Sequence, residues 1–252
     1  MTLSLDDARI QAILLDIEGT TTSIQFVYQT LFPYARKHIA EFLEQQSESP
    51  IVRDAVNQLH REWEADAREQ DCPRWSQGTD QETRDSAAAY CRWLIDRDRK
   101  STPLKSLQGM IWERGYQSGE LRGHVYPDVP VAFERWRRKE KTISIFSSGS
   151  ILAEKLIFAH TDFGDLTRLL TAHFDTTTGA KKEPESYRKI AAVLGKPPGA
   201  VLFLSDSVAE LDAARSAGME TALSARPENP GPGPHEHRVV RSFEEVFPNS
   251  DK

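Results

Sequence analysis

The sequence predicts an α/β protein: a doubly wound parallel sheet with a helical domain inserted after its first strand. Three observations lead there. Short, continuous apolar runs at 11–15, 142–146 and 200–204 each break off at small or acidic polar residues. Helical patterns lie between the second and third runs, the alternation that a parallel sheet requires. Residues 23–121 carry helical periodicity and no strand pattern.

The first run, Gln11 to Leu15, stops at Asp16 and is followed by Gly19-Thr20-Thr21-Thr22. Strands buried on both faces are apolar throughout rather than alternating, which this run satisfies. In the inserted block, Val27, Leu31, Tyr34, Ile39, Phe42 and Leu43 recur at near-helical spacing. Val52, Ala55, Leu59 and Trp63 repeat in the same way, as do Ala87, Cys91, Leu94 and Ile95. Pro50, Pro73 and Pro103 punctuate these stretches, which predicts roughly four helices. After Leu121 comes a turn at Pro127-Asp128-Val129-Pro130 and an amphipathic stretch through Trp136. Thr142 to Phe146 is the second strand, ending at Ser147-Ser148-Gly149-Ser150, with a helix from Ile151 to Ala159. A further helix spans Glu185 to Leu194, and Ala200 to Leu204 is a third strand ending at Ser205-Asp206. A helix through Ala213 and Ala214 stops at Gly218, and Arg226 to Pro234 reads as a surface loop. Val239-Val240 is a weak strand, and Ser242 with Glu245 forms a capping-box pattern. The expected organisation is a core of 9–22 and 122–248 and a helical block of 23–121.

Bulk properties exclude several classes of function. The chain has 252 residues, 38% hydrophobic and 28% charged, as in ordinary globular proteins. No stretch approaches the roughly 18 apolar residues of a membrane span, and the polar start MTLSLDDARI is unlike a secretory signal. A net charge of −6 argues against general nucleic-acid binding, which needs basic surface. Cys72 and Cys91 lie in segments that read as helical, without metal-ligand spacing, and read as reduced thiols of a cytoplasmic protein.

The chemistry collects at the strand ends. In open α/β sheets the ligand crevice lies beyond the carboxyl ends of the strands, where strand order reverses. Asp16, Glu18, Ser147, Ser148 and Asp206 therefore converge from distant parts of the chain. A carboxylate nucleophile divides displacement at phosphorus into formation and hydrolysis of an aspartyl phosphate. It repels a dianionic phosphate, so a divalent cation must lie between them, and Mg²⁺ suits hard oxygen donors. Asp16 and Asp206 supply two carboxylates and the Glu18 carbonyl a third donor, leaving the Glu18 side chain as general acid and base. The Ser147 hydroxyl, the amides around Ser148 and an ammonium from Lys181 or Lys182 hold the remaining phosphate oxygens. Singly, each residue has an ordinary explanation as a turn residue, helix cap or solvated lysine. Together, in this order at the ends of apolar strands, they describe one phosphoryl-transfer site.

At these residues the sequence resembles the haloacid dehalogenase-like phosphatases. The matching positions are Asp16-Ile17-Glu18-Gly19-Thr20-Thr21, Ser147-Ser148-Gly149, Gly179-Ala180-Lys181 and Ser205-Asp206. Most of that superfamily carries Asp where Glu18 stands. Asp-Ile-Glu-Gly-Thr-Thr is similar to the signature of the enolase-phosphatase (acireductone synthase) family of methionine salvage. Phe32-Pro33-Tyr34-Ala35, Val125 to Val129, Phe174-Asp175-Thr176, Glu185 to Ile190 and Phe203 to Asp206 agree with it. The resemblance implies one Mg²⁺ per subunit held by Asp16, Glu18 and Asp206, with Ser147, Ser148 and Lys181 on the substrate. It favours Lys181 over Lys182 and implies an inserted cap and a monomer. It also implies a small phosphorylated diketone, 2,3-diketo-5-methylthiopentyl-1-phosphate, as substrate, first enolised and then hydrolysed to acireductone. Glu210 matches a second acidic position of the metal motif and reads equally as an exposed helix residue. The nearest rival is a phosphatase of another sugar phosphate or of phosphoglycolate. A phospho-accepting signalling module is disfavoured because its phosphorylated Asp follows the third strand, and a catalytically dead binding protein because the acidic, hydroxyl and lysine set is complete.

Overall fold

A computed structural model describes residues 7–76, 78–229, 231 and 233–248. Met1 to Asp6, on which the reading of the N-terminal start partly rests, and Pro230 and Pro232 of the Pro/Gly tract lie outside the described residues. Strand β1 (Ala12–Leu15) opens the chain, followed by a short helix α1 (Ile24–Phe26) and a π-helical turn at Val27–Leu31. Helices α2 (Phe32–Gln45), α3 (Pro50–Asp66), α4 (Asp80–Asp96) and α5 (Thr102–Ser118) follow. Then come α6 (Asp128–Arg138), β2 (Thr142–Phe146), α7 (Ile151–Ala159), β3 (Ala172–Phe174) and α8 (Pro184–Val193). The chain closes with β4 (Val201–Ser205), α9 (Val208–Ser216), β5 (Glu220–Ser224) and β6 (Arg238–Val240).

The described residues form two compact units, divided at Phe26/Val27 and Leu121/Arg122. The first contains a six-stranded, all-parallel sheet in the order β3-β2-β1-β4-β5-β6. Strand β1 lies between β2 and β4, with Leu15 in register with Ile145 and Leu204. Strand order turns about β1, so the crevice opens beside its carboxyl end. Leu14, Phe146, Tyr187, Phe203 and Leu211 pack one side of the sheet as a continuous core. Full burial of each contributes roughly 1.5–3 kcal/mol.

In the second unit, Val27–Leu121, the regular elements among the described residues are all helices, joined by loops. Helix α4 starts on a reciprocal capping box between Thr79 and Glu82, and α5 is capped by Ser101 and ends at Gly119 in the left-handed region. Within its core the Trp112 indole donates to the Leu31 carbonyl, and the Tyr90 hydroxyl donates to Asp66.

Several expectations need correction. Ser23 to Phe26, assigned from sequence to the helical block, fold with the sheet unit. The His124 imidazole explains this: its Nδ1 lies 2.8 Å from the Thr22 hydroxyl, accepts the Ser23 amide at 3.2 Å, and its ring stacks on Phe26. Strands β3 and β5 have no counterpart in the sequence reading, so the strand at 200–204 is the fourth rather than the third. Cys72 lies in the loop after α3 rather than in a helix; Cys91 is buried in α4, and both are free thiols. The tract from Arg226 is not wholly a surface loop, because Arg226 is buried.

Candidate functional site

The site is built where β1, β2 and β4 end. The Asp16 amide donates to the Leu204 carbonyl, continuing the β1–β4 ladder one residue past the strand. That holds the Asp16 side chain, 9% exposed, at the mouth of the crevice. One carboxylate oxygen, Oδ1, accepts from the Ile17 amide at 2.8 Å and from Lys181 Nζ at 2.7 Å. The other, Oδ2, accepts from the Ser205 hydroxyl at 3.1 Å. A carboxylate fixed by three donors has lost the rotamer freedom it would otherwise surrender at the moment of reaction.

Lys181 arrives on a pinned loop. Gly179 has φ +152°, and a Cβ there would meet the Ser186 hydroxyl at 2.3 Å. The Ser186 hydroxyl donates to Ala180 O, and the Tyr187 hydroxyl donates to Lys181 O at 2.6 Å. The ammonium bridges Asp16 and Glu210, the latter at 2.6 Å. Burial works to lower its pKa, but the carboxylates of Asp16 and Glu210 outweigh that and hold it above the ordinary lysine value. Lys182, the other lysine of the loop, is exposed.

Glu210, whose role the sequence left open, faces inward from α9 and is mostly buried. Burial first, then the charge of Asp16, raises its pKa to about 7 against the opposing pull of Lys181. Asp206 is raised to about 7 by burial and by the charges of Asp16 and Glu210, with a smaller contribution from Glu18. Ser147 is buried, with its amide on Phe174 O and its hydroxyl accepting the Gly149 amide at 2.9 Å. Ser148 is half-buried beside it, and Ser150 caps α7. The amides that open α7 thus lie at the end of β2, the arrangement that favours an anion. The Glu18 side chain is exposed, and the next residue, Gly19, lies against Asp206. Gly19 has φ +66°, and a Cβ there would meet Asp206 Oδ2 at 2.3 Å, so only glycine allows this approach.

The chain has known relatives. Residues 10–218 match the family model of the haloacid dehalogenase-like hydrolases. Enolase-phosphatase E1 of Synechococcus elongatus is 48% identical, over 94% of this chain and 98% of that protein. The enolase-phosphatase E1 of Sorangium cellulosum is 47% identical, over 94% and 97%. The chain belongs to the enolase-phosphatase E1 family. Among solved structures, the UTR4 protein of Saccharomyces cerevisiae matches with a TM-score of 0.74 and 33% identity, over 93% of this chain and 99% of that one. CbbY from Rhodobacter sphaeroides, crystallised with phosphate, shares the fold at a TM-score of 0.57 and 17% identity, over 95% and 97%.

The donors at this site fit a hard divalent cation. Asp16, Glu18 and Glu210 all bear on Asp206, with Lys181 as the opposing cation among the influences on it. Such an excess of negative charge in a mostly buried pocket favours a small, highly charged cation. Among the described residues no three His, Cys, Asp or Glu side chains close on a metal by themselves. A cation here would rest on two carboxylates, a main-chain carbonyl and water, the mixed shell that Mg²⁺ accepts.

A second buried carboxyl lies nearby and was not singled out from sequence. Glu154 of α7 is 1% exposed at its side chain, and its Oε2 is 3.0 Å from His173 Nδ1 on β3. Burial first, then the charges of Asp175 and Asp16, pushes Glu154 up to about 9. Burial and Lys155 push His173 down to about 4. The pair is therefore a neutral acid donating to a neutral imidazole. Glu154 keeps a proton that the unfolded chain releases above 4.5, whereas His173 stays neutral where the unfolded ring is charged, below 6.5. The two effects cancel between about 4.5 and 6.5, and the pair's stability contribution falls only as pH rises from there towards 9, by about 1.4 kcal/mol per unit. Glu154→Gln keeps the donor and removes the titration. It is expected to melt higher than wild type at pH 8, with the advantage vanishing near pH 4.5. Lower stability of the variant at both pH values would mean that the pair is ionic.

Proposed function

We propose that the protein is a Mg²⁺-dependent enolase-phosphatase that converts 2,3-diketo-5-methylthiopentyl-1-phosphate to acireductone and phosphate. The observation that carries this reading is Asp16 itself, a buried carboxylate at the end of the central strand fixed by Lys181, Ser205 and the Ile17 amide. The enolase-phosphatase relatives, similar over nearly the whole chain, support the substrate.

Asp16 and Asp206 would hold the Mg²⁺ together with the Glu18 carbonyl. When bound it supplies charge neutralisation at the phosphate and Lewis-acid stabilisation of the enolate oxygen. In the phosphatase half of the reaction the remaining tasks fall to the chain. A carboxylate oxygen of Asp16 bonds to phosphorus as the ester oxygen–phosphorus bond breaks, and Glu18 gives its proton to the leaving oxygen. Glu18, now a carboxylate, takes a proton from water; the water oxygen bonds to phosphorus and Asp16 is released. Ser147, the amides at Ser148 and Lys181 hold the phosphate oxygens, and Lys181 offsets the charge that accumulates on Asp16 and the phosphate. Glu210 keeps Lys181 charged and aimed. The unit of residues 27–121 takes the part of the cap, and the sheet unit that of the catalytic core. The family resemblance is the support for a cytoplasmic monomer acting on a small molecule; no described helix is long and apolar enough to cross a membrane.

The test follows enol absorbance and phosphate release from the diketo phosphate, with Mg²⁺ and with a chelator. The reading expects an enol signal that precedes phosphate, with both lost on chelation. Release confined to simple sugar phosphates would leave the phosphatase and remove the enolase.

A further inference from the structure

The turn that follows Asp16 is held from both sides of Glu18. On the near side the Ile17 carbonyl accepts the amides of Thr20, Thr21 and Thr22, at 3.2, 2.9 and 3.0 Å. On the far side the two carbonyls after Glu18 accept from donors at the end of β5 and in the loop after it. Gly19 O accepts from Asn229 Nδ2 at 2.9 Å and from the Ser224 hydroxyl at 3.2 Å. Thr20 O accepts from Arg226 through both Nε at 3.0 Å and a terminal nitrogen at 2.9 Å.

Arg226 is itself fixed. Its guanidinium lies between the rings of Tyr126 and Phe243, at 4.2 and 4.6 Å, and pairs with Asp128 at 2.7 Å. Asp128 also accepts from the Ser242 hydroxyl and the Phe243 amide. A buried ion pair of this kind adds little net stability compared with apolar packing of the same volume, whereas a planar fork holding one carbonyl at two points fixes direction. Gly19 needs that control, because its Cα lies against Asp206. A turn that shifted would carry Glu18 and its carbonyl away from Asp206.

We propose that Arg226 and Asn229 are positioning residues that hold the Gly19–Thr22 turn, and through it Glu18, in register with Asp16 and Asp206. The proposal rests on the roles given above to Asp16, Glu18 and Asp206.

Asn229→Leu keeps the volume and removes the donor; Arg226→Lys keeps the charge and removes the fork. Each is measured for kcat and KM, for the Mg²⁺ concentration giving half the full thermal shift, and for amide exchange at Gly19 to Thr22. Removing an outer partner of a metal site commonly costs about 10- to 100-fold in affinity or activity. Losses of that size are expected in kcat and in Mg²⁺ affinity, with KM nearly unchanged, faster exchange at those four amides, and a melting temperature without Mg²⁺ close to wild type. Wild-type Mg²⁺ response and exchange in folded Asn229→Leu would overturn the proposal, as would a failure of that variant to fold, since the contact would then serve stability. Asp16→Asn, measured alongside, separates the two levels: turnover in that variant sinks the catalytic assignment, whereas its inactivity beside a normal Asn229→Leu sinks the clamp alone.

Discussion

Asp16→Asn is expected to lose phosphate release by about 10⁴-fold or more in kcat, the scale seen when a covalent nucleophile is removed. The fold should survive the change. Asn retains an oxygen for the Ile17 amide or the Ser205 hydroxyl, and the substitution removes the charge that helps push Asp206 and Glu210 upward. Without Mg²⁺ the variant should therefore melt no lower than wild type. Circular dichroism melting beside a phosphate assay checks both halves. Activity near wild type would remove Asp16 from the mechanism, and a collapsed fold would make its primary role structural.

The second large effect is at Lys181. Its ammonium is the buried countercharge between Asp16 and Glu210, at 2.7 and 2.6 Å. Lys181→Met leaves those two carboxylates facing each other, and removing one partner of a buried ionic group typically costs about 3–5 kcal/mol. Both stability and turnover should fall. Adding Glu210→Gln should restore much of the stability, because it removes one of the two stranded charges, and none of the turnover. Urea denaturation of the single and double variants measures the first effect and phosphate release the second. Unchanged stability in Lys181→Met, or recovered activity in the double variant, would contradict the roles assigned to this pair.

The parts of this architecture that could be read from sequence are those whose signal is local. Strands β1, β2 and β4 are buried on both faces and so read as unbroken apolar runs, and their polar stops mark the crevice. Strand β3 gave no such signal. It has three residues, lies at the sheet edge, and carries His173, whose buried ring is explained only by Glu154 of α7. Strand β5 begins with Glu220 and Thr221, half-buried and polar, so its apolar part is too short to stand out. Glu210 was ambiguous because helical spacing from Asp206 does not say which way a side chain faces; the contact with Lys181, distant in sequence, decides it. Arg226 and Asn229 were hidden in a tract whose proline and glycine content reads as solvent-exposed loop, yet Arg226 is buried between two aromatic rings. The domain boundary moved by four residues because His124 ties Ser23 and Phe26 to the sheet unit, a pairing without a sequence signature.

The most direct test of the central claim is to quench the enzyme during turnover of the diketo phosphate and locate covalent phosphate by peptide mapping. The account predicts phosphate on the peptide containing Asp16, formed and lost at the rate of turnover, and none in Asp16→Asn. Steady phosphate release with no phosphorylated peptide, or with phosphate on another side chain, would contradict it.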